Sequence, residues 1–397
     1  MESYIATCPD AAKDILSQEL REAGAVQITQ GYRMVRFQAS QEDWYKMHLT
    51  LATASNLFQV LKECSGANPK ILNTQAGRIA WHKLFSPQKT FKVNGIAGDR
   101  GSESMTSNEI SKQVRHAIEE VMEFNLGKKP QVELKNPDVI ITCHVHRKRA
   151  TICVSTSGKA LHKRGYRMGG HPAPVKETMA ATLLKLAGYD GSQNFYDPMC
   201  GSGTILIEAA FLSMNKACNI HRKKDQFGLE HLKIFDRQLW RSVQESLRQN
   251  KEESPKALLC GSDISEEYID MTKDNSLRAR VEKFLDLSHK SFFDSEKPAA
   301  SGILLSNLPY GERIGTQDDD LKEFYKKIGD TLKKNYSGWK ACLFVNDKSP
   351  WKFIGLKPSK KIPLLNGSIP TKLLIFDLYE GSKRGPNRSE KDTGGKA

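Results

Sequence analysis

Residues 194–213 read NFYDPMCGSGTILIEAAFLS, and this run restricts the fold more than any other. A short apolar strand passes through Asp197-Pro198-Met199-Cys200-Gly201-Ser202-Gly203-Thr204 directly into an apolar helix. A strand that turns through glycine into a helix is the opening of a parallel α/β unit. The rest of 171–380 keeps that alternation. Helices are expected in ETMAATLLKLAG, SEEYIDMTKDNSLRA and DDLKEFYKKIGDTLKKN. Strands are expected in ALLCGSD, GILLSN, WKACLFVN and TKLLIFDL, the last reached through an Asn366-Gly367 turn. A polar, largely helical insertion over 215–255 interrupts the series. The expected architecture is a doubly wound, mostly parallel sheet.

The glycines let the backbone approach a ligand and turn tightly into the helix, whose N-terminus offers free N–H groups. A dinucleotide site wants a third glycine and a pyrophosphate at that end. Here there is only Gly201-x-Gly203, preceded by an acid, Asp197. An acid suits a cationic ligand that also carries a carboxylate, and S-adenosylmethionine is such a ligand. Asp263, ending ALLCGSD, stands where such sheets place a carboxylate for ribose hydroxyls. The alternative is a tight turn with no ligand.

GILLSN is the fourth strand of this sheet, which puts Asn307 at its carboxyl end, in the crevice where ligands of open α/β sheets gather. It continues as Ser306-Asn307-Leu308-Pro309-Tyr310-Gly311-Glu312-Arg313. Pro309 and Gly311 read alone as turn residues, and Tyr310 as a core anchor. The glycine loop aimed at the same crevice favours a site.

A chain of 397 residues exceeds one ordinary core. Residues 1–65 alternate as β-α-β-β-α-β, a ferredoxin-like order. In 66–158, a loop at Asn68-Pro69 precedes the helical stretch AGRIAWHKLF, and Thr106-Ser107-Asn108-Glu109 has capping-box spacing. Two strands then meet in a hairpin tipped by Arg147-Lys148-Arg149. The last unit runs over 159–381, and 382–397 reads as a disordered basic tail without apolar anchors. The eight cysteines form no Cys-x-x-Cys pair, which argues against a zinc site or a secreted disulfide framework. No metal ligands are expected, and His144 and His146 alternate on a strand. The N-terminus has no signal-peptide pattern and no window is apolar enough for a membrane span, so the cytoplasm is expected.

The net charge of +14 suits a polyanionic partner. Between Val139 and Lys176 there is no Asp or Glu, while Arg147, Lys148, Arg149, Lys159, Lys163, Arg164, Arg167 and Lys176 fall inside. This reads as an RNA-binding surface with His162 and Tyr166 available to stack, against the alternative of a solvated hairpin and linker.

DPMCGSGT and SNLPYGER together resemble motifs I and IV of class I S-adenosylmethionine-dependent methyltransferases that modify exocyclic amino groups. Leu308 stands where proline is usual, a departure also accepted in RNA-modifying branches. SGKALHKRGYR, APVKET and LLNGSIPTKLL extend the likeness over nearly the whole chain, to the bacterial THUMP-domain ribosomal RNA guanine-N2 methyltransferases. The resemblance implies a ferredoxin-like unit, a THUMP domain and a Rossmann-like methyltransferase domain. It implies 23S ribosomal RNA as partner, naked or early in assembly, without an obligate protein partner. It implies Asn307, Leu308, Pro309 and Tyr310 as catalytic residues. Cofactor contacts are implied at Pro174, Lys176, Glu177 and Thr178, at Asp197, Pro198 and Cys200 to Thr204, and at Asp263 and Ile264. The adenine contact falls near Ser291 in KSFFD, with Asp294 three residues on.

In that reading the Asn307 oxygen and the Leu308 carbonyl accept hydrogen bonds from the amine, and Pro309 fixes the backbone. Tyr310 stacks on an extruded base. Rival readings are a transfer RNA guanine enzyme, a DNA or RNA adenine-N6 methyltransferase, and a non-catalytic RNA-binding factor.

Overall fold

The computed structural model describes residues 2–98, 105–167, 175–223, 226–309 and 318–379. Pro174, Tyr310 and the tail from 382 lie outside the described residues.

Residues 2–65 form β1 (Glu2–Thr7), α1 (Lys13–Glu22), β2 (Val26–Gly31), β3 (Met34–Ala39), α2 (Gln41–Thr50) and β4 (Asn56–Ser65). Next come α3 (Pro69–Gly77), α4 (Trp81–Leu84), β5 (Phe91–Ala97), α5 (Ser107–Leu126), β6 (Val139–His146) and β7 (Arg149–Ser155). The two N-terminal units share one seven-stranded sheet, ordered β2-β3-β1-β4-β7-β6-β5. The join is the antiparallel pair β4–β7, running from Phe58 opposite Ser155 to Ser65 opposite Arg149. The capping box opens α5: Thr106 Oγ1 accepts from the Glu109 N–H, and Glu109 Oε2 accepts from the Thr106 N–H. Asn68-Pro69 is a helix start, not a loop. Asn68 Oδ1 accepts from the Ile71 N–H, and Pro69 takes the first helical position, where its missing N–H costs nothing. The stretch AGRIAWHKLF is correspondingly split between the end of α3 and the single turn of α4.

The remaining elements are α6 (Glu177–Ala187), β8 (Phe195–Asp197), α7 (Thr204–Ser213), α8 (Arg237–Gln249), β9 (Leu259–Asp263) and α9 (Glu266–Ala279). They continue with β10 (Asp286–His289), β11 (Gly302–Asn307), α10 (Asp318–Asn335), β12 (Trp339–Asn346), β13 (Lys360–Asn366) and β14 (Ile369–Asp377). The second sheet runs β10-β9-β8-β11-β12-β14-β13. It is parallel from β10 to β12, and β14 enters antiparallel to both of its neighbours. This is a Rossmann-like α/β fold. Strand order reverses between β8 and β11, which leaves a crevice at their carboxyl ends. Helices α6 and α7 share a core with one sheet face, and α10 packs on the other.

Helix α7 is apolar nearly all round and buried on every side, because it lies between the sheet and the N-terminal unit. Its one ionisable side chain, Glu208, holds the units together. Arg164, 1% exposed, forks onto both Glu208 oxygens at 3.2 Å and also donates to the Ala52 and Leu161 carbonyls and to Asn219. Tyr166 donates its hydroxyl to Glu208 at 3.1 Å and is buried as well. Arg164 and Tyr166 were expected on an RNA-facing surface. They are instead the buried joint between units, because Glu208 on an otherwise apolar helix needs charged and polar partners there.

The 215–255 insertion forms the other half of this joint. The Trp240 and Val243 side chains of α8 share a core with α2, and His48 sits edge-on to Phe227 and Trp240. Burial pushes His48 down to about 3, so it is neutral in the fold.

Candidate active site

Strand β8 delivers Asp197 to the crevice, and the loop after it turns at Gly201 (φ 54°) and Gly203 (φ 74°). Both glycines are in the left-handed region, and a Cβ on Gly203 would stand 2.6 Å from Thr272 Cγ2. The loop is tied from behind by α9: Thr272 donates to the Gly201 carbonyl at 2.8 Å, and Asn275 to the Ser202 carbonyl at 2.9 Å. From β9, Asp263 accepts from the Gly201 N–H at 2.9 Å and from the Ser265 N–H at 3.0 Å. These bonds fix the cradle before any ligand enters, so little ordering cost is left for binding.

Asp197 is buried, and its Oδ1 accepts from Ser306 at 2.8 Å and from the Met199 N–H at 3.3 Å. Burial raises its pKa to about 7 against the pull of those two bonds, with the Asp263 carboxylate adding to the rise. The carboxyl is therefore poised to ionise when a cation arrives. Burial pushes the Cys200 thiol up, which suits packing and not nucleophilic attack.

On the far side of the crevice β11 ends at Asn307, paired beside Phe344 of β12. The Leu308 N–H donates to the Phe344 carbonyl at 3.0 Å and its side chain is buried in the core, so only its carbonyl remains to act. Asn307 Oδ1 is shielded from solvent and has no hydrogen-bond partner among the described residues. A buried unpaired acceptor costs about 1–3 kcal/mol, so it needs an explanation.

Around these groups lies a cavity of about 480 Å³. Of the residues expected from sequence, Asp197, Pro198, Cys200, Gly201, Ser202 and Thr204 line one wall. Asp263, Ile264 and Ser291 line a second, and Asn307 and Pro309 a third. Gly203 shapes the turn behind the wall. Leu308, Lys176, Glu177 and Thr178 are not among the lining residues, and that part of the wall is Val175. Lys176 is exposed, whereas Glu177 is buried beside Arg167 at 3.7 Å, and burial raises its pKa. Arg167 also donates to the Val175 carbonyl, so it braces the wall. Ser291 caps the short turn Phe292–Asp294 and faces the cavity, while Asp294 is exposed. Sequence reasoning missed Met199, Tyr268, Phe292, Phe293 and Phe324. Phe292 and Phe293 follow Ser291 in the short turn after β10, and the KSFFD motif was their only signal. Among the described residues no cluster suited to a metal ion occurs, and no helix is long and apolar enough to cross a membrane.

Arg147, Lys148, Arg149 and Lys163 are exposed. His146 pairs with Arg149, so the hairpin turn is the two residues Arg147 (φ 48°) and Lys148 (φ 61°). Both adopt the left-handed conformation that such turns normally give to Asn-Gly.

Comparison with known proteins agrees with this architecture. Residues 164–375 match an RMKL-like methyltransferase domain, 67–155 a THUMP domain and 3–57 an RlmL ferredoxin-like domain. A Synechocystis protein named as a candidate RNA methyltransferase is 33% identical over 376 residues, covering 95% of this chain and 97% of its own. The ribosomal RNA large subunit methyltransferase K/L of Syntrophotalea carbinolica is 31% identical over 389 residues, 95% of this chain. This chain spans 54% of that longer relative. Among solved structures, a Clostridium difficile protein described as a possible methylase is 26% identical with a TM-score of 0.85, covering 97% of this chain and all of that one. SMU.472, a candidate methyltransferase solved with S-adenosylhomocysteine, is 25% identical with a TM-score of 0.84, covering 96% and 99%.

Proposed function

Since the chain belongs to the RMKL-like family of S-adenosylmethionine-dependent methyltransferases, we propose that it methylates the exocyclic amino group, N2, of a guanosine in 23S ribosomal RNA. The observation that carries this reading is Asn307 Oδ1, a buried acceptor with no partner among the described residues, on the wall of a cavity whose other wall is the Asp197–Ser202 cradle. An amine with two N–H donors is the group that such an acceptor and a neighbouring carbonyl would satisfy.

The residues present fit the cofactor. Asp263 suits ribose hydroxyls, the Gly201 and Gly203 turn admits close backbone approach, and buried Asp197 suits the cationic amino-acid end. Ser291, Phe292 and Phe293 suit a purine. S-adenosylmethionine supplies an electrophilic methyl group on a good leaving group. The chain's own task is orientation. An amine conjugated to a purine is a poor nucleophile, and accepting a hydrogen bond from each of its N–H groups, at Asn307 Oδ1 and the Leu308 carbonyl, localises the lone pair. The bond from the Leu308 N–H to Phe344 and the restraint of Pro309 hold that carbonyl in one direction. An amide is a weak base, so the proton leaves late, to water. Alignment and preorganised dipoles supply the rate enhancement.

The substrate class is tested by incubating the protein with labelled S-adenosylmethionine and naked ribosomal RNA, transfer RNA or duplex DNA. Label is expected on ribosomal RNA. Label on duplex DNA alone contradicts the RNA reading, and label on transfer RNA alone moves the substrate. Asn307→Ala is expected to lower transfer at least about 100-fold with cofactor affinity unchanged. Lost cofactor affinity in that variant would remove Asn307 from the catalytic role.

A further inference from the structure

The basic excess of the chain has a second concentration, at the edge of the methyltransferase sheet. From Lys348 to Phe376 there is no Asp or Glu, and six lysines (348, 352, 357, 360, 361 and 372) fall inside. We propose that this segment, the Trp351–Ile354 turn with the β13–β14 hairpin, is an RNA-holding surface. It would grip backbone phosphates beside the target nucleotide at the rim of the methyl-transfer cavity. The proposal rests on the RNA reading above.

Register puts this surface next to the site. Asn307 lies beside Phe344, Phe344 lies opposite Leu373, and Lys372 is opposite Val345, one step further toward the carboxyl edge. With strands about 4.8 Å apart, β14 lies about 10 Å from β11 at this level, a distance of the order of one or two nucleotides. A second route joins the two regions along α10. Phe324 lines the cavity, and two residues earlier the Lys322 ammonium lies 6.0 Å from the Phe353 ring.

The chemistry is that of a single-strand grip, in which cations interleave with rings. The Lys361 and Lys372 ammonium groups lie 4.6 and 4.9 Å from the centroid of the Trp351 ring. Phe353 is 48% exposed, and Lys348, Lys352, Lys357 and Lys361 are exposed as well. Of the six lysines only Lys372 is ion-paired among the described residues, with Asp347 at 2.6 Å. The earlier acid-free stretch is different: Arg164 is consumed by Glu208 and Arg167 by Glu177. Five of the six lysines at this rim therefore carry no ion pair among the described residues, and a phosphate backbone is their complement.

The test is the triple variant K348E/K352E/K361E, with K348Q/K352Q/K361Q beside it. All three side chains are exposed, so both variants are expected to fold and to bind S-adenosylhomocysteine like the wild type. With ribosomal RNA, three lost phosphate contacts lower the slope of log Kobs against log salt by about 2. The KM for RNA is expected to rise about tenfold or more at 0.1 M salt with kcat retained. The glutamine variant should show the same loss in smaller degree. Unchanged slope and KM in both variants, beside a wild type that labels RNA, overturn this inference alone. A wild type that labels no RNA removes the proposed function, and the partner of this surface with it.

Discussion

Asp197 and Asn307 end neighbouring strands, and under the proposed function they would meet opposite demands: one would accept a cation, the other would hold a neutral amine. Because burial raises Asp197 to about 7, the free protein holds it neutral in mild acid. Its folded pKa lies above the unfolded value, so its contribution to stability is lost as pH rises from about 4 toward 7. A bound cation favours the ionised form and reverses the trend. Affinity for S-adenosylmethionine is therefore expected to rise between pH 5.5 and 7.5 in the wild type, by up to about tenfold per unit below the pKa. In Asp197→Asn it should be weaker and flat, as calorimetric titration at several pH values would show. A wild-type profile as flat as that of the variant would take Asp197 out of the cofactor's charged end. The sequence made Asp197, the two glycines, Asp263 and Asn307 legible because each sits at a strand end or needs a special backbone. Phe292, Phe293, Phe324 and Tyr268 were not legible as site residues, since in sequence an aromatic lining a cavity looks like one filling a core.

At the scale of elements, the β6–β7 turn carries strain that a hairpin alone would not select. Arg147 and Lys148 both hold left-handed backbone, at a cost of about 1 kcal/mol each relative to Asn-Gly. Arg147→Asn with Lys148→Gly is expected to raise the denaturation midpoint and at the same time weaken RNA binding, with cofactor affinity unchanged. A variant that is more stable and binds RNA as well as the wild type would return this turn to an ordinary solvated tip. The capping box of α5 and the glycine turn into α7 could be read directly, because their signals are local. The start of α3 was hidden because Asn-Pro serves turns and helix N-termini equally. The packing role of the insertion was hidden because the partner of α8 lies some 190 residues earlier, at Tyr45 and Gln41.

Across the whole molecule, one continuous N-terminal sheet and the methyltransferase sheet are locked by Arg164, Glu208 and Tyr166. An arginine in an acid-free stretch looked like a surface charge because its partner sits 44 residues away, on α7. Arg164→Met should leave Glu208 without its counter-ion in the core and cost about 3–5 kcal/mol in chemical denaturation, while Arg164→Met with Glu208→Gln should recover most of that loss. A single variant as stable as the wild type would contradict the lock. His48, at the same joint, is held neutral by burial with a pKa near 3. Its contribution is intact above the unfolded value of about 6.5 and is lost as pH falls toward 3. Melting temperature should drop over that window, and less steeply in His48→Gln. The methylated product itself gives the most direct test of the proposed function. Naked 23S ribosomal RNA is incubated with the protein and labelled S-adenosylmethionine, digested to nucleosides and analysed by mass spectrometry, with Asn307→Ala alongside. Label in N2-methylguanosine, absent with the variant, is the expected result; label in N6-methyladenosine, or equal label with the variant, would contradict it.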